Sequence, residues 1–130
     1  MPSSGRRLPV RFHDTAWREA TRGFPGRPLD IATSARGMLE DDGVALPDLR
    51  PCAAHGPDGT QLAGCAKLYL PVIGGAPSER PFAFVLQLAR TPDAELVWVF
   101  VAFGHRHPVR GVRSVYERAH RQVHGKFPMS

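Results

Sequence analysis

The pattern of apolar positions predicts three consecutive β-strands in the second half of the chain. Residues 96–103 are eight apolar residues in succession, rich in β-branched and aromatic side chains, which predicts a central strand buried on both faces. Residues 65–72 and 82–89 each place large apolar side chains at every second position, which predicts strands with two different faces. The short connections between these strands predict an antiparallel meander.

Helical spacing dominates the first third of the chain. Residues 9–13 predict a short strand, after which Asp14 is placed to cap a helix. Pro28 suits the first turn of a second helix, and Gly43 suits its end. The apolar positions at helical spacing are Trp17, Ala20 and Phe24 in the first helix and Leu29, Ala32, Ala35 and Leu39 in the second.

A third helix is predicted near the C-terminus. Ser114 and Glu117 have the spacing of a capping box, and Gly125 is placed to end the helix. Together the elements predict a single α+β domain over residues 1–130, with a small antiparallel sheet of about four strands in the order β-α-α-β-β-β-α. Two N-terminal helices are expected to pack on one face of the sheet, with a short C-terminal helix after the last strand. Residues 1–8 are expected to be a flexible N-terminus and residues 126–130 a tail.

The positive charge is concentrated in the last quarter of the chain. The whole chain carries a formal net charge of +5. Residues 1–96 contain eleven basic and eleven acidic residues, whereas residues 97–130 contain six basic residues and one acidic residue. The whole surplus therefore begins at the predicted central strand, which favours an anionic partner such as RNA, DNA or an acidic protein segment.

Candidate chemistry lies at the end of that strand. His105, Arg106 and His107 follow it directly. Imidazoles titrate near neutral pH and suit acid and base roles, and a guanidinium matches phosphate geometry. Lys67 and Tyr69 are predicted to share one face of an earlier strand. Each of these groups also fits a solvated or packed position without chemistry.

No cofactor or metal is expected. Cys52, His55 and Cys65 have part of the spacing of a metal site, but a fourth ligand at a suitable distance is missing. The chain shows neither an export signal nor an apolar run long enough to span a bilayer, so we expect a cytoplasmic protein with free thiols and no membrane partner.

The element order and four segments resemble the RelE/ParE superfamily of bacterial toxins. Residues 10–17 are similar to the family's opening strand and first helix. Residues 38–51, which include the sequence Leu-Arg-Pro, are similar to its second-helix end and the following loop. Residues 62–69 are similar to the family's entry into the sheet, and residues 100–106 to its terminal strand and basic turn.

The resemblance, closer to the RelE-like branch, implies the toxin of a bacterial toxin–antitoxin system. Such a protein would have a cognate antitoxin as its partner and would cleave messenger RNA on the ribosome. The implied reaction is attack by a ribose 2′-hydroxyl on the adjacent phosphate, which needs a base, an acid and positive charge on the phosphorane. The alternative is a non-catalytic binding module of the same fold, either a gyrase-targeting ParE-like toxin or an inactive relic that binds an anionic partner.

The resemblance carries over to particular residues. Lys67 matches the family's basic position on the second strand, Arg106 the arginine after the last strand, and Tyr116 the C-terminal aromatic. With His105 and His107, these form the predicted catalytic set. The predicted RNA-binding residues are Tyr69, Arg80, Arg90, Arg110, Arg113, Arg118 and Arg121. Family members usually carry an arginine within the third strand, whereas residues 82–89 contain none.

Overall fold

Three helices and two β-sheets form the protein in the computed structural model, which describes residues 7–52, 62–72, 80–107 and 112–124. The helices are α1 (Asp14–Thr21), α2 (Arg27–Asp42) and α3 (Val115–His124). The strands are β1 (Arg7–Leu8), β2 (Val10–Arg11), β3 (Val44–Ala45), β4 (Arg50–Pro51), β5 (Cys65–Leu70), β6 (Phe82–Arg90) and β7 (Leu96–His105). The α+β class is confirmed, and the short strands β1, β3 and β4 were not predicted.

The main sheet has five strands in the order β2-β7-β6-β5-β4. The meander β5-β6-β7 is antiparallel, as predicted. The prediction of a fully antiparallel sheet is wrong for β2, which pairs parallel to β7. The local pattern of a two-residue strand does not encode the direction of a partner almost ninety residues away, so this pairing could not be predicted from it.

A second, two-stranded sheet corrects the prediction for the N-terminus. Residues 7 and 8 were expected to be flexible, but they form β1, which pairs antiparallel with β3. The Arg7 side chain adds a hydrogen bond of 2.9 Å to the carbonyl oxygen of Asp42. This part of the N-terminus is therefore held against the end of α2.

One extra residue in β7 decides which side chains face which helix. Ala102 and Phe100 pair with consecutive residues of β6, so Val101 is the extra residue of a β-bulge. The extra residue shifts the alternation of side chains by one position. As a result Phe100 and His105 both contact aromatic rings on the α1–α2 face, while Arg106 reaches the opposite face.

The larger core lies between the sheet and helices α1 and α2. Aromatic rings fill it: Phe84 and Phe103 are fully buried, and the ring centroids of Phe84 and Phe100 are 5.1 Å apart in an edge-to-face arrangement. Ile31, Ala32 and Leu39 bury the inner side of α2. The face of β5 that was predicted to be apolar, with Ala66, Leu68 and Leu70, contributes to this core.

A smaller core lies on the opposite face, beneath α3. Val115 and Ala119 are fully buried there against Ala83, Val85 and Ala102. These side chains are small, so the helix approaches the sheet closely. A side chain at Gly104 would place its Cβ 3.2 Å from Cδ of Arg118. The predicted central strand is therefore buried on both faces, as expected.

Of the two predicted N-terminal helix caps, one is correct and one is wrong. Ser114 and Glu117 form the predicted capping box, with the Glu117 amide donating to the Ser114 hydroxyl at 3.1 Å and the Ser114 amide donating to the Glu117 carboxylate at 3.0 Å. Asp14 was expected to cap α1, but it is the first helical residue and His13 is at the cap without a side-chain bond. The Asp14 carboxylate instead lies 3.7 Å from Arg36.

Several predictions fall outside the described residues. These are the first six residues, Arg110, His55, the helix stop at Gly125 and the tail 126–130. Within the part of the chain that the structure describes, no helix combines the length and apolar character needed to cross a membrane.

Candidate functional site

Four side chains from three parts of the chain meet on the α3 face of the sheet. Lys67 and Tyr69 come from β5, Arg106 follows β7, and Tyr116 comes from the first turn of α3. The Lys67 Nζ atom is 5.1 Å from the centre of the Tyr116 ring and 5.9 Å from that of Tyr69. The Arg106 guanidinium carbon is 3.6 Å from the centre of the Tyr69 ring. We call these four residues the tyrosine–cation site.

Arg106 is held in place by several contacts. Its Nη1 atom donates to the carbonyl oxygen of Arg80 at 2.9 Å, and its backbone amide donates to the carbonyl oxygen of Pro81 at 2.8 Å. Its Nε atom is buried and is the one side-chain nitrogen or oxygen, among the described residues, that is buried without a hydrogen-bond partner. The stacking and these hydrogen bonds fix the position of the guanidinium beside the Tyr69 ring.

Tyr116 is held in its protonated form. Burial raises the pKa of its hydroxyl, and the nearby Tyr69 hydroxyl adds to this effect, whereas a hydrogen bond from Arg106 and its positive charge act against it. The phenol therefore stays neutral at physiological pH. It can donate a proton or a hydrogen bond, but it is not a base under these conditions.

The site carries the positive charges of Lys67 and Arg106. Among the described residues, neither Lys67 nor Arg106 forms an ion pair with an acidic side chain. Arg50 stands opposite Lys67 in the register of β4 and β5 and adds a third positive charge at this edge. Two cations beside a neutral phenol can bind a phosphate group and stabilise additional negative charge on it.

The two predicted histidines lie in different places relative to this site. His105 lies on the opposite face of the sheet, where its ring is 4.7 Å from that of Phe82 and 5.6 Å from that of Phe24. The bulge at Val101 causes this placement. His107 is exposed just after Arg106.

Arg118, predicted to bind RNA, is engaged inside the protein. Its Nε atom donates to the carbonyl oxygen of Phe103 at 3.1 Å, and its Nη2 atom donates to those of Ala20 at 3.0 Å and Glu19 at 3.3 Å. Burial lowers its pKa, and the charge of Arg113 adds to this effect. The side chain therefore connects α3 to β7 and to the C-terminal end of α1.

The remaining predicted arginines are spread over the surface. Arg90 donates to the carbonyl oxygen of Ala94 at 3.0 Å, at the end of β6 far from the tyrosine–cation site. Arg80 is exposed beside Arg106 and supplies its carbonyl acceptor. Arg113 and Arg121 are exposed and line a cleft of about 790 Å³ between α1 and α3. We call this second feature the basic cleft.

The sequence pattern did not predict that Cys52 lies close to Lys67 in the fold. Cys52 is close enough for Lys67 to lower its pKa, although burial and Cys65 together raise that pKa to about 11. The alternating pattern of β5 predicts that Cys65 shares the face of Lys67, but the position of Cys52 depends on the pairing of β4 with β5. No local signal marks that pairing, because β4 is only two residues long.

Comparison of the chain with protein-family models, with curated proteins and with solved structures found no match in any of the three.

Proposed function

We propose that this protein is an endoribonuclease of the RelE-like kind, a bacterial toxin that cleaves messenger RNA on the ribosome and is controlled by a cognate antitoxin. The reaction would be attack by a ribose 2′-hydroxyl on the adjacent phosphate. One observation carries the proposal. Lys67, Arg106 and Tyr116, which the resemblance singles out in three separate segments, come together: Lys67 and Arg106 lie near the Tyr69 ring, and Lys67 also lies near the ring of Tyr116.

The chemistry of the site suits this reaction. Lys67 and Arg106 would stabilise the negative charge that grows on the phosphorane. Tyr116 would donate its proton to the leaving oxygen, because its raised pKa keeps the hydroxyl protonated. His107 is exposed next to Arg106 and is the described imidazole best placed to accept the proton of the 2′-hydroxyl. Tyr69 would offer its aromatic ring to a stacked base.

A second candidate is a binding module of the same fold without nuclease activity. Two observations favour it: the arginine of β6, Arg90, is the last residue of the strand at the end away from Arg106, and His105 faces the opposite side of the sheet from Arg106. Both reduce the number of groups available for catalysis. In that case the same cations would bind an anionic partner, and the cellular target would be gyrase or another macromolecule.

The test is inducible expression in a bacterial host, with growth recorded and cellular RNA ends mapped by primer extension. We expect growth arrest and new RNA ends within coding regions. Arg106→Ala and Lys67→Ala should each lower cleavage by about 100-fold or more, because each removes a charge from the transition state. Tyr116→Phe should lower it by roughly 100-fold through loss of the proton donor.

Arg11→Ala is the matched control, since it removes an exposed arginine from β2, the opposite edge strand of the same sheet. It should cleave RNA at close to the wild-type rate. Growth arrest without new RNA ends, together with inhibited gyrase, would support the binding module. Full activity of both Arg106→Ala and Lys67→Ala would exclude the tyrosine–cation site as the nuclease centre.

A further inference from the structure

The two cysteines of the chain face each other across the edge of the main sheet. Pro51 pairs with Ala66 in the antiparallel register of β4 and β5, so the next pair outward is Cys52 and Cys65. The Cys52 amide donates to the Cys65 carbonyl oxygen at 3.1 Å, which continues the ladder by one step. Both side chains belong to the small core beneath α3 and therefore lie on one face.

This arrangement meets the geometric needs of a disulfide. Hydrogen-bonded partners in antiparallel strands have Cα atoms about 5.5 Å apart, and disulfides join residues whose Cα atoms are roughly 4.4–6.8 Å apart. Directly opposite residues have Cβ atoms about 4.5–5.5 Å apart, and disulfides need about 3.5–4.5 Å, so closing the bond needs a movement of about 1–2 Å. β4 is a two-residue edge strand, which can make such a movement easily.

We propose that Cys52 and Cys65 form a redox modification site, at which a small-molecule disulfide oxidises the pair to an intramolecular disulfide. The Cys52 thiolate attacks the oxidant, forms a mixed disulfide and releases one thiolate. The Cys65 thiolate then attacks the Cys52 sulfur and releases the second thiolate. The protein loses two electrons and two protons, and the oxidant is reduced to two thiols. This site goes beyond the proposed nuclease function and does not depend on it.

The order of the two steps follows from exposure. Cys52 is half-buried, so a dissolved oxidant can reach its thiol. Cys65 is only 5% exposed, so its thiol reacts with the Cys52 sulfur and not with the dissolved oxidant. Burial raises the pKa of both thiols, and that of Cys52 reaches about 11 despite the opposing charge of Lys67. The first step should therefore be slow at neutral pH and accelerate about tenfold per pH unit as the thiolate fraction grows.

The bond would fix the edge of the sheet beside the tyrosine–cation site. Cys65 precedes Lys67 by two residues on the same face, and β4 is attached to β5 by few pairs. Oxidation would close the chain between the two cysteines into a covalent ring. The ring lowers the conformational entropy of the unfolded state and holds β4 against β5. The oxidised protein should therefore have a higher melting temperature, by about 10 °C.

The experiment exposes the reduced full-length protein to excess oxidised glutathione at several pH values. Free thiols are counted, the intact mass is recorded, and the melting temperature is measured before and after oxidation. For the wild type we expect loss of both thiols, a mass lower by two hydrogens without a retained glutathione, and the rise in melting temperature. Added reductant should reverse all three changes.

Single variants separate the two steps. Cys65→Ser should keep a glutathione on Cys52, because the second thiol is missing, and its melting temperature should not rise. Cys52→Ser should react far more slowly, because Cys65 is buried. A wild-type protein that retains glutathione on Cys52, or that forms disulfide-linked dimers instead of the internal bond, would overturn the proposal. Neither readout involves RNA, so failure here leaves the nuclease proposal unaffected.

Discussion

At the scale of single residues, two arginines from the same basic region have different surroundings. Arg106 stacks on Tyr69, and its Nε atom is buried without a hydrogen-bond partner. Arg118 uses its donors on three backbone carbonyls and so serves the fold. Both lie in the basic last quarter of the chain, and both were predicted to act on RNA. Their identity alone did not distinguish the arginine that stacks on a ring from the one that bonds to the backbone.

The structural role of Arg118 is testable by truncation. Arg118→Ala should lower the free energy of unfolding by about 2–3 kcal/mol, because it removes charge-assisted bonds from α3 to β7 and α1 and leaves buried carbonyls unpaired. Arg121→Ala, an exposed position on the same helix, is the control and should change stability by less than about 0.5 kcal/mol. Urea denaturation followed by circular dichroism measures both values. Equal stability of the two variants would contradict the assigned role.

At the scale of elements, the close approach of β1 to the end of α2 requires a glycine at position 43. Gly43 adopts a φ of +69° after the last turn of α2, and its amide donates to the Leu39 carbonyl oxygen at 2.8 Å. A Cβ atom there would lie 2.5 Å from the carbonyl oxygen of Leu8. The position therefore requires glycine for two reasons: its φ angle is positive, and a Cβ atom would collide with the backbone of β1.

Two glycine-to-alanine substitutions, one within α2 and one directly after it, should act in opposite directions. Gly43→Ala should destabilise the protein by at least about 2 kcal/mol, because β1 must move and the backbone angle is strained. Gly37→Ala should stabilise it by about 0.5–1 kcal/mol, since a Cβ at this helical position meets nothing within 4 Å. Thermal and urea unfolding of both variants provide the comparison. A stable Gly43→Ala protein would show that β1 does not pack there in solution.

At the scale of the whole molecule, the charge is distributed over two surfaces separated by α3. The tyrosine–cation site lies on one side of the helix, and the basic cleft with Arg113 and Arg121 lies between α3 and α1. The net charge of +5 is therefore not spread evenly over the surface. A long single-stranded RNA could contact both surfaces, and its affinity should depend strongly on salt.

The contribution of the basic cleft is measurable as a salt slope. The Arg113→Gln/Arg121→Gln double variant should lower the slope of log affinity against log salt concentration by about 1.4 for single-stranded RNA, because two phosphate contacts are lost. Arg11→Gln/Arg90→Gln removes the same charge from exposed positions elsewhere and should change the slope less. Fluorescence anisotropy at several salt concentrations gives both slopes. Equal slopes would show that net charge, not the cleft, controls binding.

The sequence by itself determined the elements whose signals are local. Periodicity predicted the three long strands, the two faces of β5 and the helices, and spacing predicted the capping box at Ser114. These features depend on neighbours within a few residues, so a linear pattern contains them. The element order also led to the resemblance that singled out Lys67, Arg106 and Tyr116.

The tertiary structure alone decided which of these groups meet. The parallel pairing of β2, the strands β1 and β3, and the position of Cys52 opposite Cys65 depend on partners far away in the chain. The bulge at Val101 has the largest consequence, because one extra residue turns His105 toward the aromatic core and Arg106 toward Tyr69. Strict alternation would assign these two side chains to the opposite faces, since a shift of one residue exchanges the two sides of a strand.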